Sequence, residues 1–394
     1  MKTNSDDELK VASRARPRKD HTMTRLLDLS KVHGQSPWID NLKRSFLTDG
    51  GLATLVERGV RGVTSNPTIF QKAISGSKDY DEQYAAAIAT GSTTEEAYWA
   101  LVSHDVAAAC AILAPVHTAS AGVDGYVSLE VSPLLADNSA ATSAAARHLH
   151  TTLHLANLMV KIPATAAGVP AIEEMIAEGR NINVTLIFSI ERYDAVMEAY
   201  IHGLERLLEG DTTDLSGTAS VASFFVSRVD TEVDRRLEKA GTPGALALRG
   251  RAAIAQAVLA YHLFNQRFSG PRWERLAAYG ARPQRPLWAS TSTKNPAFPD
   301  TLYVNSLIGP QSVNTLPDAT LEAFDNHGTL ARTIDEVEAV AGAFATMNGL
   351  RAEGIDMDDV ALTLEHEGVA SFVKSFEELL STLEERGAQL RAKA

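Results

Sequence analysis

The sequence is poor in the features that announce several common kinds of chemistry. Its 394 residues contain one cysteine, Cys110, so no intrachain disulfide can form, and the usage suits a reducing cytoplasm. Aromatic residues make up only 6%. There is no Walker loop, no dinucleotide-type glycine fingerprint and no zinc-type cysteine pattern. The N-terminus lacks the apolar run of a signal peptide, and no stretch reads as long and apolar enough to span a membrane. Basic residues are also in deficit: 37 Lys and Arg against 49 Asp and Glu give a net charge of −12. Such a chain gains nothing from long-range attraction to nucleic acid or anionic membranes, so neither is an expected partner. An anionic substrate would need positive charge supplied locally.

What is present is an ordinary globular composition, 45% apolar and 22% charged, with ample length for a large core. Residues 1–22, with the basic cluster Arg14 to Lys19, read as a disordered extension, and Met23 as a candidate natural start. Residues 23–394 carry no Gly/Ser linker, low-complexity run or internal repeat and read as one domain. Cys110 lies in Asp105-Val-Ala-Ala-Ala-Cys-Ala-Ile-Leu113, which reads as a buried helix with the thiol as a small core group.

Eight short β-rich runs punctuate the chain: Ser36–Asp40, Gly62–Asn66, Gly125–Ser132, Leu158–Pro163, Ile182–Ser189, Val221–Val226, Leu287–Ser292 and Ser312–Leu316. Most are followed by a helix-period stretch. After the fourth, Val169, Ile172, Met175 and Ile176 share one helical face, with Gly179 as a C-cap. Strands alternating with helices imply parallel pairing, and eight such units imply an α/β (β/α)8 TIM barrel, which needs about 250 residues before insertions. The surplus falls in the N-terminal stretch, in two long intervals and in a C-terminal helical segment. There Phe372, Phe376, Leu379, Leu380 and Leu383 form an apolar stripe that could cap the barrel or face a second copy of the chain in a homodimer.

Strand parity adds content. Leu158, Val160 and Ile162 share one face, opposite Met159 and Lys161; Val127, Leu129 and Val131 oppose Tyr126, Ser128 and Glu130; Ile182, Val184 and Leu186 oppose Asn183 and Thr185. Apolar faces turned outward onto helices leave Lys, Glu, Asn and Thr facing into the barrel. Burial penalises the charged form of an amine, and a neutral amine attacks a ketone carbonyl to give an imine that acts as an electron sink. Lys161 is therefore either a Schiff-base nucleophile or one half of an ion pair, and parity alone weighs these equally. Glu130 on the preceding run and Asp40 at the end of the first could move protons or balance the lysine. Asn66, Asn183 and Thr185 could bond substrate hydroxyls or satisfy barrel-end backbone groups. Ser223, Arg228 and Lys294 follow or end late strands, where barrels often bind phosphate. His148, His150 and His154 look metal-like, but no third ligand is evident nearby, and they read as an exposed helix.

At these residues the chain resembles the transaldolase family, in its longer, actinobacterial-type branch. The resemblance runs from about His33 to the C-terminus. It is carried by Gly62-Val-Thr-Ser-Asn-Pro-Thr68, Val127-Ser-Leu-Glu-Val-Ser-Pro133, Met159-Val-Lys-Ile-Pro-Ala-Thr165, Asn181-Ile-Asn-Val-Thr-Leu-Ile-Phe-Ser189 and Ser220-Val-Ala-Ser-Phe-Phe-Val-Ser-Arg228. It implies a class I aldolase-type barrel and a cofactor-free, metal-free transferase acting on sugar phosphates. Sedoheptulose 7-phosphate and glyceraldehyde 3-phosphate would give erythrose 4-phosphate and fructose 6-phosphate in the cytoplasmic pentose phosphate pathway. It assigns Lys161 as the Schiff-base lysine, acid/base roles to Asp40 and Glu130, the latter with Thr185 and a water, substrate positioning to Asn66 and Asn183, and phosphate binding to Ser223 and Arg228. After the seventh run, where family members typically carry a second phosphate-binding Arg, the nearest candidate is Lys294. Fructose-6-phosphate aldolases, smaller relatives, have Gln where this chain has Glu130 and Tyr where it has Phe225. Deoxyribose-phosphate aldolases carry their lysine on the sixth strand, which here has none. A catalytically silent barrel acting as a binding protein is the alternative from another class.

Overall fold

A computed structural model describes residues 24–210 and 212–391. The N-terminal extension expected over residues 1–22, and Met23, lie outside the described residues. Seven parallel strands form one curled sheet: β1 (Gln35–Ile39), β2 (Val127–Glu130), β3 (Leu158–Pro163), β4 (Ile182–Ile187), β5 (Ser220–Phe225), β6 (Arg285–Ala289) and β7 (Ser312–Leu316). Their order is β1-β7-β6-β5-β4-β3-β2, and every pair is parallel. Helices occupy the connections, so this is an α/β fold of the TIM-like barrel kind.

The expected second strand, Gly62–Asn66, is not formed as a strand. Val63 alone makes parallel bridges, to Ile39 on one side and to Val127 on the other. The Val63 N–H donates to Tyr126 O, and the Ser128 N–H donates to Val63 O. Two local features keep the run short. A Cβ at Gly62 would fall 2.4 Å from the Trp38 ring, so the chain passes close over β1. Asn66 then leaves the pairing direction and caps the helix Pro67–Ser75, its Oδ1 accepting from the Ile69 N–H at 2.9 Å.

Strand ends also differ from expectation for identifiable reasons. The run expected over Ile182–Ser189 stops at Ile187, because Ser189 caps the following helix through the Arg192 N–H. The strand expected at Leu287–Ser292 begins two residues earlier, at Arg285.

The apolar parity holds. Leu158, Val160, Ile162, Ile182 and Val184 are all fully buried between sheet and helices. Each such side chain contributes roughly 1.5–3 kcal/mol of burial free energy. The helix Gly168–Ala177 buries Ile172, Met175 and Ile176, and Gly179 follows it at φ +72°. The C-terminal helix, Met357–Arg391, buries Phe372, Phe376, Leu379 and Leu383 against this same chain, so the stripe offers no argument for a second copy.

Two expectations are corrected outright. The helix Thr94–Ala119 is long and apolar enough to cross a membrane by length and composition, with a mean hydropathy of 1.6 over its most apolar window. It nevertheless packs as a core helix. Tyr98, Leu101, Val106, Cys110 and Leu113 are buried, and its fully buried Asp105 is paired with Arg44 at 2.8 Å. Burial there pushes the Cys110 thiol up to about 12. The trio read as an exposed helix is also divided: His148 and His154 are exposed, but His150 is buried, with Nε2 3.1 Å from Asn181 O.

Candidate active site

Parallel register sets the core of the site. Glu130, Lys161 and Asn183 are direct partners across β2, β3 and β4. Alternation turns all three inward, so they form one layer inside the curled sheet. Lys161 Nζ donates to the Ser65 carbonyl at 2.9 Å and stands 3.1 Å from Glu130 Oε2. Both side chains are about 5% exposed or less. The carboxylate contact is an ion pair without hydrogen-bond directionality, for Oε2 has no hydrogen-bond partner among the described residues. The ion-paired reading of Lys161 is thus realised, and it leaves the nucleophile reading open, because the same carboxylate could carry the amine's protons.

Asn183 is held at both ends. It donates through Nδ2 to Ser128 Oγ at 2.9 Å and accepts at Oδ1 from Ser223 Oγ at 2.7 Å. The Ser223 hydroxyl therefore orients Asn183, and it lies in β5 below the point where Arg228 leaves the strand. Thr185, two residues beyond Asn183, is fully buried, and its Oγ1 has no hydrogen-bond partner among the described residues. A buried hydroxyl without a partner is costly unless something occupies the space beside it.

Asp40 follows β1. It accepts from Thr64 Oγ1 at 2.6 Å, and Thr64 also contacts Thr315 Oγ1 at 2.6 Å. Burial raises the Asp40 carboxyl above its ordinary 3.8, outweighing the Thr64 hydrogen bond and the charges of Lys161 and Arg228. Burial likewise raises Glu130 above 4.5, against the pull of Lys161. The Asp40 charge raises Glu130 further, and the Asp318 charge raises Asp40. A raised carboxyl is one that can give and take protons nearer neutrality.

Arg228 is the second residue of the helix Ser227–Ala240, which follows β5 after Val226. Its guanidinium carbon lies 5.2 Å from the Phe225 ring centroid and 6.0 Å from that of Phe372. It has no hydrogen bond or ion pair among the described residues. Lys294 is exposed and bonds Ser292 Oγ at 2.6 Å. Its pKa is lowered by partial desolvation of the ammonium first, although the side chain as a whole is exposed, and then by the neighbouring charges of Arg228 and Lys72. The structure thus brings Lys161, Glu130, Asp40, Asn183, Thr185, Phe225 and Arg228 to the C-terminal ends of the strands, with Lys294 in electrostatic range. Asn66 stands at the same end, with Oδ1 committed to its helix.

Sequence reasoning missed four contributors. Thr64 and Thr315 position Asp40, the Ser65 carbonyl anchors Lys161, and Phe372 lies against Arg228. Thr64 and Ser65 sit inside a quoted motif and were within reach; the other two come from remote segments.

The TIM-like α/β fold thus sets a buried lysine and two raised carboxylates together at the C-terminal ends of its strands, an arrangement compatible with lysine-based carbonyl chemistry. The family model described as transaldolase/fructose-6-phosphate aldolase matches residues 37–383. A transaldolase of Parafrankia sp. is 52% identical over 367 residues, covering 92% of this chain and 97% of the relative. The transaldolases of Frankia alni and Thermobifida fusca are each 51% identical, covering 89% and 88% of this chain and 94% of each relative. The chain belongs to the transaldolase/fructose-6-phosphate aldolase family and stands within it among the transaldolases, which are transferases.

Proposed function

We propose that this chain transfers a dihydroxyacetone unit from sedoheptulose 7-phosphate to glyceraldehyde 3-phosphate, through a Schiff base on Lys161, giving erythrose 4-phosphate and fructose 6-phosphate. The observation that carries the mechanism is the buried Lys161–Glu130 pair at 3.1 Å. In this reading neutral Nζ attacks the C2 ketone of the donor, and Glu130 moves the protons as the carbinolamine loses water to become the imine. Cleavage of the C3–C4 bond requires a base at the C4 hydroxyl. Asp40, the second raised carboxylate, takes that proton and returns it when the enamine attacks the acceptor aldehyde. The unpartnered Thr185 hydroxyl and Glu130 Oε2 hold the water that enters and leaves. Asn66 Nδ2 and Asn183 orient hydroxyls, Ser223 acts through Asn183, and Arg228 with Lys294 takes the phosphate end. No cofactor or metal is needed.

In the finer reading of the fold, the run around Val63 is the eighth stave of a (β/α)8 barrel, since hydrogen bonds reach it from both neighbours. Residues 23–394 act as one domain. The buried free thiol of Cys110 favours a reducing cytoplasm, the compartment of the pentose phosphate pathway.

Borohydride reduction in the presence of fructose 6-phosphate tests this directly. The expected product is a three-carbon adduct on the peptide containing Lys161. An adduct mapped to another lysine, or none, would sink the Schiff-base assignment. Adding erythrose 4-phosphate separates the activities. Sedoheptulose 7-phosphate is expected, whereas free dihydroxyacetone alone would indicate an aldolase.

A further inference from the structure

The C-terminal helix Met357–Arg391 does more than cap the barrel's apolar surface. It crosses the C-terminal ends of the strands and touches both flanks of the site. On one flank, Ser375 Oγ bonds Thr68 Oγ1 at 2.8 Å, in the first turn of the helix that Asn66 caps. Arg386 Nη1 reaches the carbonyls of Ile74 and Ser77 and Asp81 Oδ1, past the end of that same helix. On the other flank, Gly368 lies over Arg228 and Leu186. A Cβ added at Gly368 would come within 3.0 Å of Leu186 Cδ2 and 3.5 Å of Arg228 Nη1. Leu186 meets it from a bulge in β4, at φ +59°, a conformation that a leucine adopts only where packing compels it. One turn further on, Phe372 is 3% exposed and sets its ring 6.0 Å from the Arg228 guanidinium carbon. Phe225, from the barrel itself, lies at 5.2 Å.

Arg228 thereby lies against two aromatic rings where the C-terminal helix passes at Gly368, with no carboxylate bonded to it among the described residues. A carboxylate partner would fix an arginine just as well, but it would occupy the guanidinium hydrogen bonds and neutralise the charge. Aromatic faces hold a guanidinium while leaving its five N–H donors free for a planar or tetrahedral oxyanion.

We propose that Phe372 and Gly368 of the C-terminal helix are positioning residues that complete the phosphate end of the site by clamping Arg228, so that discrimination for phosphorylated sugars depends on this helix as well as on the barrel. The inference rests on the reading of Arg228 as the phosphate ligand, and the experiment separates the two. Three variants are compared, Arg228→Ala, Phe372→Leu and Phe372→Tyr, each with phosphorylated and unphosphorylated acceptor aldehydes and with inorganic phosphate as competitive inhibitor.

Leucine keeps the apolar packing and removes the π face; tyrosine restores it. For Phe372→Leu the expected result is a KM for the phosphorylated acceptor and a phosphate Ki that rise roughly three- to tenfold, the range a cation–π contact supports. Its kcat and its KM for the unphosphorylated aldehyde should change by less than about twofold, as expected for loss of uniform binding. Phe372→Tyr should restore both constants. Equal losses on both acceptors, or a Phe372→Leu enzyme with wild-type phosphate Ki, would overturn the clamp. An Arg228→Ala enzyme that still discriminates would overturn the reading beneath it, and the clamp with it. Should Phe372→Leu fold poorly, Gly368→Ala provides the second route. The added methyl would fall 3.0 Å from Leu186 Cδ2 and 3.5 Å from Arg228 Nη1, so it presses on the leucine packed beside the guanidinium while Phe372 is unchanged. The same selective rise in phosphate Ki is expected; an unchanged Ki would count against the clamp.

Discussion

At the N-terminal ends of the strands, Asp124, Arg285, Ser36 and Trp38 close upon one another, whereas at the C-terminal ends Lys161, Glu130, Asp40 and Arg228 stand only partly matched. Below, Asp124 Oδ2 accepts from Ser36 Oγ at 2.8 Å and Oδ1 from Arg285 Nη2 at 3.0 Å, with the Trp38 indole at 3.4 Å. Arg285 also donates to Ser36 Oγ and to the Val123 carbonyl. Above, Glu130 Oε2 and Thr185 Oγ1 lack hydrogen bonds among the described residues, Asp40 raises the Glu130 carboxyl, and Arg228 rests on rings. The same parallel strands supply inward polar side chains at both ends. The Asp124 cluster matches its charges internally, although Gln35 Oε1 and Gln284 Oε1 at that end also lack partners among the described residues. The two ends are therefore distinguished by the matching of charge rather than of every polar atom.

The sharpest way to break that comparison is to remove one charge from each end. Lys161→Met should abolish transfer, with turnover falling at least about a thousandfold, because it removes the amine on which the proposed imine forms. It should leave the fold intact. Asp124→Ala should do the reverse. It strands the Arg285 guanidinium at the barrel floor and is expected to cost about 3–5 kcal/mol of stability, while the folded fraction keeps its kcat. Urea unfolding followed by assays at low denaturant reads both. If Lys161→Met unfolds the protein, or Asp124→Ala lowers kcat more than stability, the two ends are not divided as described.

How far the sequence disclosed this division depends on distance along the chain. Period-two alternation sufficed to bring Lys161, Glu130 and Asn183 into one inward layer, since parity within a strand is a local property. It could not tell that Gly62–Asn66 forms bridges centred on Val63 alone instead of a full ladder, because a run that pairs along its length and a run that pairs at one point have the same pattern. Arg285 escaped for a related reason. An Arg-Pro pair at a strand start reads as loop, although its side chain is central to the barrel floor. Ser223 pointed at phosphate by its place in a late strand, but its hydroxyl goes to Asn183, a partner on another strand. Phe372 was legible as part of an apolar stripe and illegible as the neighbour of Arg228, because nothing local links the C-terminal helix to β5.

The difference between the ends also shows in pH dependence. His150 lies at the N-terminal end, its Nε2 on the carbonyl that precedes β4. Burial, with help from Arg180, lowers it from 6.5 to about 4. The folded chain therefore binds fewer protons here than the unfolded chain, and stability falls as pH drops from about 6.5 towards 4. The full effect is about 3 kcal/mol by linkage. His150→Gln retains a donor for the Asn181 carbonyl and does not titrate, so its unfolding free energy should lose about one proton of slope in that window. A variant with wild-type slope would show that His150 is solvated in the folded state.

Asp40 carries the opposite sign and the smallest expected effect. Its carboxyl is raised above 3.8 by burial, so the fold favours the protonated form. The stabilising contribution is complete below 3.8 and is lost as pH rises through the raised value; near neutrality the ionised group opposes folding. Asp40→Asn removes that opposition and keeps an acceptor oxygen for the Thr64 hydroxyl. It should therefore raise stability near pH 7, by on the order of 1 kcal/mol, an increment typical of relieving a strained site. Transfer activity should be lost in the same variant if this carboxylate takes the C4 proton. The pairing of the two outcomes is the informative part. A variant that loses activity and stability together would make Asp40 a structural group like Asp124. A variant that gains stability while losing turnover would mark the C-terminal end as the place where the barrel keeps charge unmatched for the reaction.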